Sequence, residues 1–188
     1  MALAQEVRSS GWFEIASMGW KMMNKQDRGF TLIELLIVIA IILVIAAIAI
    51  PNLLRSRIAA NQASAVSSLR TLNTAEVTYA TTYNVGYSAQ LSYLGPPSPA
   101  GAAVNSTGAG IVDSVLAGTS NTSEKSGYQF TYSPGTIADG KVMNFGIRAD
   151  PVSRGITGQN SYYVDESGVI RQNASGAQAT AADSPLAG

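Results

Sequence analysis

The 188-residue chain has no cysteine and no histidine. Without cysteine there are no disulfides, no zinc–thiolate sites and no thiol nucleophile, and the redox compartment stays open. Without histidine a Ser-His-Asp triad, a His-ligated metal and a His general base are excluded. Charge is scarce as well: charged residues make up 13%, and Lys plus Arg and Asp plus Glu number 12 each. A balanced, sparse charge gives no electrostatic case for nucleic acid as a partner. Carboxylates and lysine remain as catalytic groups, but no convergent carboxylate pair is visible. The sequence therefore reads as a non-enzyme that needs no cofactor.

What is present breaks the average. Leu35 to Ile50 reads LLIVIAIILVIAAIAI, 16 residues without a polar side chain. Phe30 to Ile50 adds only Thr31 and Glu34 as polar members. At about 1.5 Å per residue these 21 residues span roughly 30 Å, the hydrocarbon thickness of a bilayer. A helix apolar on every side is too greasy for one small domain to cover, so it reads as membrane-resident rather than as a buried core helix.

Four zones follow. Met1 to Gly29 is a charged leader. Phe30 to Tyr83 reads as one long helix: residues 30–51 form the transmembrane half, and residues 52–83 an amphipathic half. In the latter, Leu54, Ile58, Ala65, Leu69, Leu72, Tyr79 and Tyr83 make one apolar stripe. Asn84 and Gly86 supply the stop. Residues 84–127 are loop-rich, with IVDSVL at Ile111 to Leu116 as a short helical turn. Residues 128–188 carry short strands and a small-residue tail. YQFTY (Tyr128 to Tyr132), VMNFGIR (Val142 to Arg148), SYYV (Ser161 to Val164) and VIRQ (Val169 to Gln172) are bounded by turn residues, and Asp165 to Gly168 makes a turn between the last two. The expected fold is α+β: a long N-terminal helix whose amphipathic half packs on a small antiparallel sheet, with residues 52–188 as the globular part.

The leader holds Trp12, Phe13 and Trp20 but no apolar region of its own. A start at Met22 or Met23 gives a leader of 8 or 7 residues ending at Gly29. Residues 1–21 read as an upstream extension outside the translated chain, with an extra cytoplasmic segment as the alternative.

The order of features matters. In a secretory signal the small-residue cleavage site follows the apolar stretch. Here Gly29 precedes it, so a cut after Gly29 would keep the hydrophobic helix on the mature protein and free an amine at Phe30. Glu34 would then sit near one end of a membrane helix, where a carboxylate costs up to about 2.5–3.5 kcal/mol on insertion scales. Two readings stay open. The carboxylate pairs with the Phe30 ammonium of a neighbouring copy and fixes the axial register of two helices, or it snorkels to the headgroups. Pro51 lacks the amide that would bond the Ala47 carbonyl and is expected to bend the helix.

Arg28-Gly29-Phe30-Thr31-Leu32-Ile33-Glu34-Leu35-Leu36-Ile37-Val38-Ile39-Ala40, with Ala49-Ile50-Pro51-Asn52 further on, resembles the prepilin signature of type IV pilins and type II secretion pseudopilins. The resemblance covers about Lys25 to Ile58. It implies cleavage between Gly29 and Phe30 by a membrane aspartyl prepilin peptidase, N-methylation of Phe30, and pairing of Glu34 with a neighbour's N-terminus. It also implies storage in the bacterial inner membrane, leader cytoplasmic and globular part periplasmic, with assembly by an ATPase-driven platform into a homopolymeric surface filament. A type IV pilus subunit is the first reading. A secretion pseudopilin is the alternative, and a single-span anchored binding module that does not polymerise is a third. The basic residues alone, Lys21, Lys25 and Arg28 before the span and Arg55, Arg57 and Arg70 after it, set no orientation.

Where many pilins close a C-terminal loop with a disulfide, this chain cannot. Asp150, Asp165 and Glu166 form its only C-terminal acidic group and lack ligand-like spacing, so no metal site is expected. Tyr79, Tyr83 and Tyr87 at i, i+4, i+8 could stack between subunits, but helix-to-sheet packing accounts for them. Asn105, Asn121 and Asn173 each begin an N-x-Ser/Thr glycosylation pattern.

Overall fold

The computed structural model describes residues 29–186. Residues 1–28 of the leader, with Lys21, Lys25, Arg28 and the alternative starts, lie outside the described residues. Two compact units divide the chain, the first ending at Val44 and the second beginning at Ile45.

One helix, α1, runs Leu32–Tyr83 with Pro51 inside it. Its apolar N-terminal part is long enough to cross a membrane, and none of its most apolar window is buried in the chain. Ile33, Leu36, Ile42 and Ile48 are each more than half exposed. Such a surface is stable only against lipid or other helices.

In the second unit the apolar stripe does find a cover. Ala65, Leu69, Leu72, Ala75 and Tyr79 are buried in one core with Phe130, Ile147, Tyr162 and Val164. Leu69 and Leu72 are fully buried, each contributing roughly 1.5–3 kcal/mol of hydrophobic stabilisation.

The cover is a five-stranded antiparallel sheet in the order β1-β2-β5-β6-β7: β1 Thr122–Lys125, β2 Tyr128–Pro134, β5 Phe145–Pro151, β6 Ser161–Asp165 and β7 Arg171–Asn173. Burial alternates along its central strands, Tyr128, Phe130 and Tyr132 in β2 and Phe145, Ile147 and Ala149 in β5 pointing into the core, as the two-residue period of a strand requires. Phe130 pairs with Ala149, and Ile147 with both Tyr132 and Val164. The α+β class and the antiparallel sheet agree with the reading of the sequence. β1 lies inside the segment read as loop-rich. The expected strand Val142 to Arg148 is two strands: β4 Lys141–Val142 closes a hairpin with β3 Ile137–Ala138, and β5 starts at Phe145. Asp139 and Gly140 form the hairpin tip, both at positive φ, the backbone that an Asp-Gly turn favours.

Between helix and sheet the chain is tied by specific bonds. Asn84 takes φ 53° just after the last helical residue, and Gly86 takes φ 79°. A side chain at Gly86 would collide with the Val142 carbonyl, so glycine is required there for both backbone angle and close approach. A 3-10 turn, Leu91–Leu94, buries both its leucines. The short helix α2, Ser114–Ala117, falls in the segment expected to turn, and its N-cap Asp113 accepts from the Leu116 amide. Asn73 and Asn61 on α1 donate to the carbonyls of Asp165 and Thr157.

Candidate functional site

The first unit places the expected cleavage and pairing residues at the start of α1. Gly29, Phe30 and Thr31 precede the helix, and Phe30 is 87% exposed. Among the described residues nothing lies within 4 Å of the space a Cβ on Gly29 would fill. Gly29 and Phe30 are both exposed among the described residues.

Thr31 caps the helix. The Glu34 amide donates to the Thr31 hydroxyl at 3.2 Å, while Glu34 Oε2 accepts from the Thr31 amide and hydroxyl, both at 2.9 Å. This reciprocal pair is a capping box, and the Leu35 amide closes the first turn onto the Thr31 carbonyl at 3.2 Å. The sequence reading missed the cap, although Thr-x-x-Glu before an apolar run is its signal. Glu34 therefore has a partner within its own chain at Oε2, and Oε1 makes no hydrogen bond among the described residues. A carboxylate held by one oxygen has the other available to a cation.

The remaining candidates separate. Pro51 sits within continuous helix. Tyr79 and Tyr83 are in contact, ring centroids 5.1 Å apart, but Tyr87 lies past the helix end against Phe145 at 4.7 Å. The three therefore make no continuous stripe. Tyr79 is buried and donates to the Ser106 carbonyl at 2.6 Å, a packing role. Asp150 pairs with Arg148 at 2.6 Å, Asp165 accepts from the Ser167 amide at 3.0 Å, and Glu166 is exposed. No group of three metal-ligating side chains gathers among the described residues. Asn105 and Asn173 turn their carboxamide oxygens onto the hydroxyls of Thr107 and Ser175. Asn121 instead accepts from the Leu91 amide.

Glu76 also escaped notice. It lies on the apolar stripe between Leu72 and Tyr79 and is fully buried. That position, a carboxylate at helical spacing among core residues, was the signal available.

Residues 24–50 match the family model of the prokaryotic N-terminal methylation motif. The N-terminal segment carries this motif and is similar there to type IV pilins. The chain is 48% identical over 56 residues to the type IV major pilin protein PilA of Myxococcus xanthus, a stretch covering 30% of this chain and 26% of that one. It is 65% identical over 37 residues to the type IV wide pilus major component PilA4 of Thermus thermophilus, covering 20% and 28%. The matches thus span about a quarter of the length of these curated relatives. No solved structure matches the chain. The matched motif and the capping box coincide: Gly29, Phe30, Thr31 and Glu34 all fall within residues 24–50.

Proposed function

We propose that this chain is a structural subunit of a type IV pilus. Prepilin peptidase cuts between Gly29 and Phe30 and methylates the new amine. The subunit waits in the bacterial inner membrane with its globular part in the periplasm. An ATPase-driven platform then extrudes it into a homopolymer held by the N-terminal helices. The observation that carries this reading is the junction itself: an exposed Gly29–Phe30 peptide one residue before the cap of an unburied apolar helix. A cut there leaves the helix on the mature chain, which a filament core requires and a secretory signal does not. In this reading Glu34 Oε1 receives a neighbour's Phe30 ammonium while Oε2 stays with Thr31. The pair sets register rather than adding stability, because burying both charges offsets most of their attraction.

A secretion pseudopilin would share the same N-terminus. Both relatives are pilus components, which favours the pilus. Mass spectrometry of filaments sheared from the cell surface tests the proposal. The expected species begins at Phe30 with a methylated amine. Uncut precursor, or a mature end elsewhere, overturns it.

A further inference from the structure

Between Glu34 and Arg55 the chain has no charged residue; Arg55 and Arg57 are the first charges after the apolar run. Both are exposed, and neither makes a salt bridge or a side-chain hydrogen bond among the described residues, where the only ion pair is Arg148–Asp150. Asn52 and Ser56 beside them are exposed too, the Ser56 hydroxyl donating to the Asn52 carbonyl. The rest of the globular part first ties itself to the helix at Asn61, which donates to the Thr157 carbonyl at 2.9 Å, and at Ser64, which bonds Ser126. Six helical residues, Arg55 to Ala60, all exposed except the half-buried Ile58, thus lie between the last residues of the apolar stretch and the first tertiary tether. At 1.5 Å per residue they span about 9 Å, close to the roughly 5–8 Å depth of one headgroup layer.

Two arginines at this level need a reason. Basic residues next to a span bias that end toward the cytoplasm, so on the translocated side they work against the topology the subunit requires. Among the described residues they have no partner to explain them. Two residues apart on a helix, they point about 200° from each other, one on each side, so they cannot share one partner carboxylate and instead form a collar. A guanidinium offers paired N–H donors that match phosphate oxygens bidentately, and phosphates surround a helix on all sides only in a lipid layer.

We propose that Arg55 and Arg57 form a binding collar for the phosphates of anionic phospholipid in the outer leaflet of the membrane that stores the subunit. The inference rests on the membrane-stored reading above. The collar fixes how deeply the helix sits and must release its lipids when the subunit is drawn into a filament.

The test uses the full-length chain in vesicles of phosphatidylcholine alone or mixed with phosphatidylglycerol. Lipid retained by the protein is counted by native mass spectrometry. Wild type should retain phosphatidylglycerol in preference to phosphatidylcholine, and excess inorganic phosphate should not displace it. The R55Q/R57Q double variant should lose the preference, by roughly five-fold per arginine, while R55K/R57K keeps part of it. Resistance to alkaline carbonate extraction should be the same in all three. No preference in wild type, or equal retention by wild type and R55Q/R57Q, overturns the collar. Unchanged lipid retention together with lost filaments would overturn it in favour of carboxylate partners on a neighbouring copy. Extraction of wild type by carbonate would defeat the membrane-stored reading itself, and the collar with it.

Discussion

The buried carboxylate of Glu76 on α1 accepts from both the amide and the hydroxyl of Ser88, twelve residues on, at 2.9 and 2.6 Å. Tyr132 of β2 donates to the carbonyl of the same Ser88 at 2.6 Å. Helix, post-helix loop and sheet are therefore joined at one residue. Ser88 is fully buried, and each of its polar groups has a partner, as burial demands.

Glu76 should make stability depend on pH. The two donors of Ser88 favour the carboxylate, but burial outweighs them and holds the Glu76 carboxyl above its ordinary value of 4.5. An acid raised in the folded state binds its proton more tightly folded than unfolded. Its contribution is complete below about 4.5 and is lost as pH rises through the raised value. Glu76→Gln keeps one acceptor and one donor for Ser88 and should flatten this slope. Thermal unfolding of the full chain in detergent, from pH 4 to 8 as roughly the range of carboxylate titration, is expected to show a falling midpoint for wild type and a level one for Glu76→Gln.

Removing the latch altogether should cost more. Glu76→Ala leaves the buried Ser88 amide and hydroxyl unpaired and opens a cavity among Leu72, Tyr79 and Tyr132, with an expected loss of about 2–4 kcal/mol. Chemical denaturation checks it. An effect below about 1 kcal/mol, the size of an ordinary surface change, would show that Ser88 finds other partners.

Gly86→Ala should destabilise the junction between helix and hairpin. The substitution places a Cβ against the Val142 carbonyl at a φ of 79°, two penalties of roughly 1–3 kcal/mol together. Hydrogen exchange should show the loss first at the Tyr87 amide, which bonds the Val142 carbonyl at 2.9 Å.

Glu34→Gln separates the cap from the charge. Glutamine can complete the capping box with Thr31 but cannot bind an ammonium ionically. The register reading expects Glu34→Gln, like Glu34→Ala, to insert and be processed but to form few or no filaments, while Thr31→Val loses about 1 kcal/mol of helix stability and still assembles. Abundant Glu34→Gln filaments in electron micrographs would leave capping and snorkelling as the whole role of Glu34.

Pro51 should matter more in the filament than in the subunit. Helix continues through it here, although its ring leaves the Ala47 carbonyl without an amide donor. We expect a bend near Pro51 in the isolated subunit and loss of helix from about Ala46 to Pro51 once small-residue faces of neighbouring helices pack there. Extended residues cover about twice the distance of helical ones, so such a stretch would let the filament lengthen under load. A reconstruction at side-chain resolution with an unbroken helix through Pro51 would refute the melting.

The sequence by itself determined the long helix and the N-terminal motif, because both are local. An uninterrupted apolar run, a glycine before it and a carboxylate within its first turns are spacings along the chain, and helical geometry converts them directly into faces and ends. Much of the strand pattern of residues 128–172 was legible from the turn residues that bound it, but the break at Met143 and Asn144 that divides the expected strand Val142 to Arg148 was not. Tertiary structure alone decided what depends on residues distant in sequence. Strand β1 has a polar sequence, TSEK, and is a strand because β2 pairs with it. The helix stop after Tyr83 already took Tyr87 off the tyrosine stripe; tertiary structure decided that Phe145 receives it. Glu76 looked like one more polar residue on an amphipathic helix. Only the return of the chain at Ser88 supplies the two donors that let a carboxylate be buried, and no local pattern encodes a donor twelve residues away.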